Sequence, residues 1–94
     1  LSSELKPPRN IVGPVVRELR LKKKLTQAQF VAKLNVAGWD LSRETFAKIE
    51  CRTRWVADFE IVKLAAALEM DAPALVRHAV AEGEFAGGRR LKSG

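Results

Sequence analysis

Residues 26–50, TQAQFVAKLNVAGWDLSRETFAKIE, constrain the fold most, because they spell two short helices separated by a loop. Thr26 is placed to cap the first helix, in which Phe30, Val31 and Leu34 recur at helical spacing. Gly38 follows with the backbone freedom that closes a helix. Ser42 is the cap expected for the second helix, and Leu41 and Phe46 on either side of it have the spacing of a hydrophobic staple. Phe46 and Ile49 then face inward, which leaves Arg43, Glu44, Ala47 and Lys48 facing outward. The outer face therefore carries long hydrogen-bonding side chains near a helix start.

The middle of the chain reads as nearly all helix, and no run suits a buried β-strand. Pro7-Pro8, with Lys6 and Arg9 beside them, mark residues 1–12 as a flexible arm. Gly13-Pro14 opens a first helix through about Lys24, with Val15, Val16, Leu19 and Leu21 as its apolar contacts. Lys22, Lys23 and Lys24 at its end suit either the negative pole of the helix dipole or a phosphate. After the helix over about 43–51, Arg52, Arg54 and Trp55 alternate cation with aromatic; Trp55 reads as a lid on the core and Trp39 as the anchor of the long turn.

Asp58 is the cap expected for a fourth helix, whose Phe59, Ile61, Val62, Leu64, Ala65 and Leu68 leave little polar surface, the mark of a core helix. Asp71 caps a fifth, in which Leu75, Val76, Ala79 and Val80 form an apolar stripe that would suit a partner. Residues 83–94, Gly-rich and basic, read as a flexible tail. The expectation is an all-α domain of five helices over 13–82, with an arm before it and a tail after it.

Charge narrows the partner. The net charge is +6, and residues 1–55 hold 12 Lys/Arg against 5 Asp/Glu while residues 56–94 hold 5 against 6. The basic half is the half with the two-helix motif, and each cation near a phosphate gains from counterion release. One cysteine, Cys51, excludes an internal disulfide and a cysteine-rich zinc site. With a lone His78, and no paired carboxylates or phosphate loop, neither a metal, a cofactor nor a catalytic site is expected. Cys51 reads as a small core residue. The absence of an apolar span of about 18 residues points away from a membrane and to the cytoplasm.

Five helices, with VRELRLKKKLTQAQF entering the motif, FAKIE closing it and FEIVKLAAALEMDAPALV following, resemble the Cro/repressor-type (XRE-type, lambda-repressor-like) helix-turn-helix family. The resemblance covers about residues 11–76. It implies a compact five-helix domain that binds double-stranded DNA as a repressor-like transcriptional regulator in the cytoplasm, at the nucleoid. It also implies a structural ion pair between Arg20 and Glu50, and phosphate contacts from Gln27 and Ser42. Arg43, Glu44 and Lys48 match the positions from which family members reach base edges. An arginine there can grip guanine by two hydrogen bonds, and a glutamate can accept from cytosine. Lys24, Arg52 and Arg54 are further candidates for phosphate.

Three features depart from the family pattern: a connection between Leu34 and Phe46 several residues longer than usual, Val31 where alanine is preferred, and Arg52 where glycine often ends the helix. A homodimer is expected, because one helix reads few base pairs, with the fifth helix as its interface. The competing expectation is a protein-interaction module on the same fold, such as an antitoxin or a coactivator subunit.

Overall fold

Thr26 serves the first helix of the motif in both directions. Its hydroxyl accepts from the Gln29 amide at 3.0 Å, and the Gln29 side chain accepts from the Thr26 amide at 2.8 Å, a reciprocal capping box. The helix it starts is one of five in the computed structural model, which describes residues 9–82. In order they are α1 Gly13–Lys22, α2 Gln27–Val36, α3 Arg43–Glu50, α4 Asp58–Ala67 and α5 Ala72–Glu82. No strand occurs among the described residues, so the domain is all-α there.

Ser42 starts α3, its hydroxyl accepting from the Thr45 amide at 3.1 Å. Asp71 starts α5 by accepting from the Ala74 amide at 2.8 Å. α4 differs from expectation. Ala57 holds the cap position and Asp58 is already helical, while the Glu60 carboxylate reaches back to the Ala57 amide at 3.0 Å. Glu60 is fixed there because Arg54 grips it, so the first turn is capped from inside the helix.

Four helices end alike. The residue after each cap takes a positive φ, at Lys24 (61°), Gly38 (102°), Arg52 (68°) and Glu69 (64°). The next amide then returns to the helix: Leu25 to the Arg20 carbonyl, Trp39 to Leu34, Thr53 to Lys48 and Met70 to Ala65, at 2.9–3.2 Å. Only Gly38 advertises this in the sequence. The other three hold a conformation that costs an L-residue roughly 1–2 kcal/mol.

The core gathers around Phe30 and Phe46, whose rings lie 5.2 Å apart and tilted by 32°. Val12, Val16, Leu34, Leu41, Ile49, Leu64 and Leu75 belong to it, all buried. Asn10 and Val12 are buried too, so packing begins inside the segment read as an arm. Residues 1–8 and the tail 83–94 lie outside the described residues.

Several expectations of burial fail. α1 ends at Lys22, and Leu21 near its end is 47% exposed. α4 is a core helix on one side only: Leu64, Ala65, Ala67 and Leu68 are buried, but Phe59 and Val62 are 61% and 56% exposed. It packs against α2 and α5, which leaves its far side uncovered. Trp55 is no lid, being 67% exposed. Cys51 is exposed as well, because α3 turns Ile49 and Glu50 inward and so points the next residue out.

Candidate nucleic-acid interface

The outer face of α3 depends on how firmly its inner face is held. At its far end Arg20 and Glu50 form a two-pronged pair, Nε to Oε2 at 2.7 Å and Nη2 to Oε1 at 3.1 Å, with side chains only 6% and 4% exposed. The remaining arginine nitrogen donates to the Leu25 carbonyl at 2.7 Å, so the buried cation is well supplied with acceptors. This pair ties α1 to α3, and both side chains are buried. It is scaffold.

Asn10, which sequence reasoning missed, fastens the same end. Its amide donates to the Ile49 carbonyl at 3.1 Å and to the Arg54 carbonyl at 2.9 Å, while its oxygen accepts from the Gly13 amide at 2.7 Å. One side chain thus caps the start of α1 and the end of α3 together. Gly13 is required for this approach, since a β-carbon there would collide with the Ile49 carbonyl oxygen. The available signal was an asparagine three residues before Gly13, the reach over which a capping side chain meets a backbone amide.

The long turn between α2 and α3 is anchored rather than loose. The Asn35 amide donates to the carbonyls of Trp39 and Leu41 at 2.8 and 3.3 Å, and Trp39 is half-buried against the core. The Arg54 guanidinium lies 6.0 Å from the Trp39 ring centroid, within range of a cation–π contact. The turn residues therefore hold α3 at a fixed offset from α2.

On this frame Ser42, Arg43, Glu44 and Lys48 are exposed. Arg43 is guided from behind: the Gln27 amide donates to Glu50 Oε1 at 2.9 Å, and its oxygen accepts from Arg43 Nη1 at 3.4 Å. A continuous set of contacts thus runs from the buried pair to the exposed guanidinium. Lys24 stands nearby, exposed and without an ion-pair partner among the described residues. Lys24, Thr26, Gln27 and Arg43 line an open depression of about 720 Å³ where α1 ends and α2 and α3 begin.

The other candidates for phosphate are already engaged. Gln27 is half-buried and uses its amide on Glu50 and Arg43. Arg52 donates through Nε to the Asn10 carbonyl at 3.1 Å. Arg54 binds Glu60 through two nitrogens, at 2.9 and 3.2 Å, and the Trp55 carbonyl at 2.8 Å. The hydrogen bond from Arg54, more than any other influence, holds the Glu60 carboxyl below its ordinary pKa, and the same bond raises that of Arg54. These two arginines brace the end of α3 against residues 9–12 and α4. Of the cations expected to contact DNA, Lys24, Arg43 and Lys48 are the open ones.

Thr45 is half-buried, with its hydroxyl 3.0 Å from that of Ser42, which joins it to the helix cap. Among the described residues no three of His, Cys, Asp and Glu come together as a metal site would need. Nor is any helix among them long and apolar enough to cross a membrane. Compared with protein-family models, with curated proteins and with solved structures, the chain matches none.

Proposed function

We propose that this domain binds double-stranded DNA sequence-specifically, as a repressor-like transcriptional regulator that lays α3 in the major groove and acts as a homodimer. The observation that carries the reading is the exposure of Arg43, Glu44 and Lys48 on one helix whose opposite face is fixed by Phe46, Ile49 and the buried Glu50. A rigid helix presenting a cation and an acceptor at its start can discriminate base edges, because the major groove offers a distinct donor and acceptor pattern for each pair. Arg43 takes guanine through two hydrogen bonds, and Glu44 accepts from cytosine. Lys48 reaches a base or a phosphate from the last turn. Lys24 and Ser42 fix register on the backbone, where contacts position without specifying.

The test is selection of bound fragments from a random double-stranded pool at near-physiological salt. A two-fold motif with half-sites about 10 base pairs apart is the expected result, relaxed at one position by Arg43→Ala. Binding by charge alone would return no motif and fade steeply with salt. The competing reading is a protein-interaction module, such as an antitoxin or a coactivator subunit, and the long turn favours it. Unchanged DNA retention by the Arg43→Ala/Lys48→Ala double variant would support that reading instead.

A further inference from the structure

We infer that Gln27 is a positioning residue for base recognition: its carboxamide, oriented by the buried Glu50, sets the direction of the Arg43 guanidinium and so determines specificity at the base pair that Arg43 reads. This role deepens the DNA binding proposed above and rests on it. It differs from the phosphate contact that the family resemblance implies for Gln27.

Gln27 is held at both ends. Its backbone starts α2, inside the capping box of Thr26 and Gln29. Its side chain ends on Glu50, where Oε1 accepts from Gln27 Nε2 at 2.9 Å while the Arg20 guanidinium occupies both carboxylate oxygens. A carboxylate paired in this way only accepts, so the carboxamide must turn its nitrogen toward Glu50 and its oxygen away. That oxygen accepts from Arg43 Nη1 at 3.4 Å. A guanidinium only donates, so each end of the amide meets the partner that its orientation demands. The reverse orientation would set oxygen against oxygen at Glu50 and N–H against N–H at Arg43. Gln27 is half-buried and Arg43 exposed, so order passes from the interior to the surface.

The contact leaves the useful part of Arg43 free. Nη1 is spent on Gln27, whereas the edge formed by Nε and Nη2 has no hydrogen-bond partner among the described residues. Such an edge grips guanine O6 and N7 by two parallel hydrogen bonds. An unguided arginine must give up its rotamer freedom when it binds, and one already biased toward a single direction gives up less. The bond from Arg43 is long, so it biases the guanidinium without locking it. The nitrogen that a phosphate would need is the one turned toward Glu50.

The test is selection from the random double-stranded pool with the full-length parent, Gln27→Met, Arg43→Ala and the double variant. Methionine is close to glutamine in length and lacks the amide, and Arg43→Ala marks the base pair that Arg43 reads. Gln27→Met should lower the preference for guanine there about fivefold, the lower end of what a two-pronged contact discriminates, and leave the other positions unchanged. Added to Arg43→Ala, it should change that position no further, because the two residues act through one contact. A preference compares two sequences bound by the same protein, so a loss of folded chain cancels from it. Weaker binding to every sequence alike would make Gln27 a phosphate contact and overturn the inference, as would a further loss of preference in the double variant. If the parent selects no motif, the DNA reading fails and takes this role with it, a result distinct from a motif that Gln27→Met leaves unrelaxed, which would overturn the role alone.

Discussion

The two ends of α3 differ in everything but sequence neighbourhood. The C-terminal end is gripped by Arg20 through Glu50, by Asn10 through the Ile49 carbonyl and by Gly13 through close backbone approach. The N-terminal end is capped by Ser42 and otherwise open, with Arg43 touched only by the Gln27 oxygen at 3.4 Å. Most of the contacts at the closed end hold the fold, and the side chains at the open end are available to a ligand. Substitutions at the two ends should therefore separate stability from binding.

The largest effect belongs to Glu50→Ala, which strands the Arg20 guanidinium in a site where its side chain is 6% exposed. Breaking such a pair from one side costs about 3–5 kcal/mol, readable as a lower urea midpoint. Replacing both partners by apolar residues of similar volume should recover much of that loss. Asn10→Ala comes next. It leaves the Ile49 carbonyl and the Gly13 amide without the partners they have at 3.1 and 2.7 Å, and should cost about 1–3 kcal/mol in the same assay.

Lys24→Gly should act in the opposite direction. Lys24 holds φ 61° at the end of α1, and glycine adopts that conformation freely, so the variant should gain about 1 kcal/mol. Under the proposed reading it should also bind DNA less well, with a shallower salt dependence, because one phosphate contact is gone. A gain in stability with unchanged salt dependence would remove Lys24 from the interface.

The second arginine–glutamate pair calibrates the first. Arg54 and Glu60 meet at 2.9 Å, but their side chains are 30% and 12% exposed, so the pair contributes about 1 kcal/mol at most. Glu60 has a lowered pKa in the folded state. Its contribution is therefore complete above the unfolded carboxyl value, about 4.3, and is lost as pH falls through the lower folded value. Glu60→Gln should be slightly less stable than the parent at pH 7, and the gap should close on acidification. A gap that persisted at pH 2 would mean that Glu60 acts by packing or capping alone.

How much of this was legible beforehand follows the range of the interactions. Thr26, Ser42 and Asp71 cap by contacts three residues away, so local spacing found them. Phe30, Leu34, Phe46 and Ile49 repeat at helical period, and all are buried. Asn10 bonds residues 39 and 44 positions distant, and Arg52 bonds one 42 positions distant, so no local pattern foretells those bonds, whereas the bond from the Gly13 amide to Asn10 spans only three residues. Both arginines after α3 looked free because basic sequence alone does not reveal an acceptor supplied from elsewhere. Composition likewise failed on α4, since an apolar helix reads the same whether one side or both are covered.

Arg43→Ala should change stability least of all, by no more than about 0.5 kcal/mol, as is usual for an exposed position away from a structural contact. Its hydrogen bond to Gln27 is long, at 3.4 Å, and Gln27 keeps the shorter one to Glu50 at 2.9 Å when Arg43 is removed. The buried pair behind it is undisturbed, so any change in DNA retention would come from the lost guanidinium and not from a shifted helix. A marked fall in the urea midpoint would show instead that Arg43 belongs to the closed end's network, and α3 would then have no end free for a ligand.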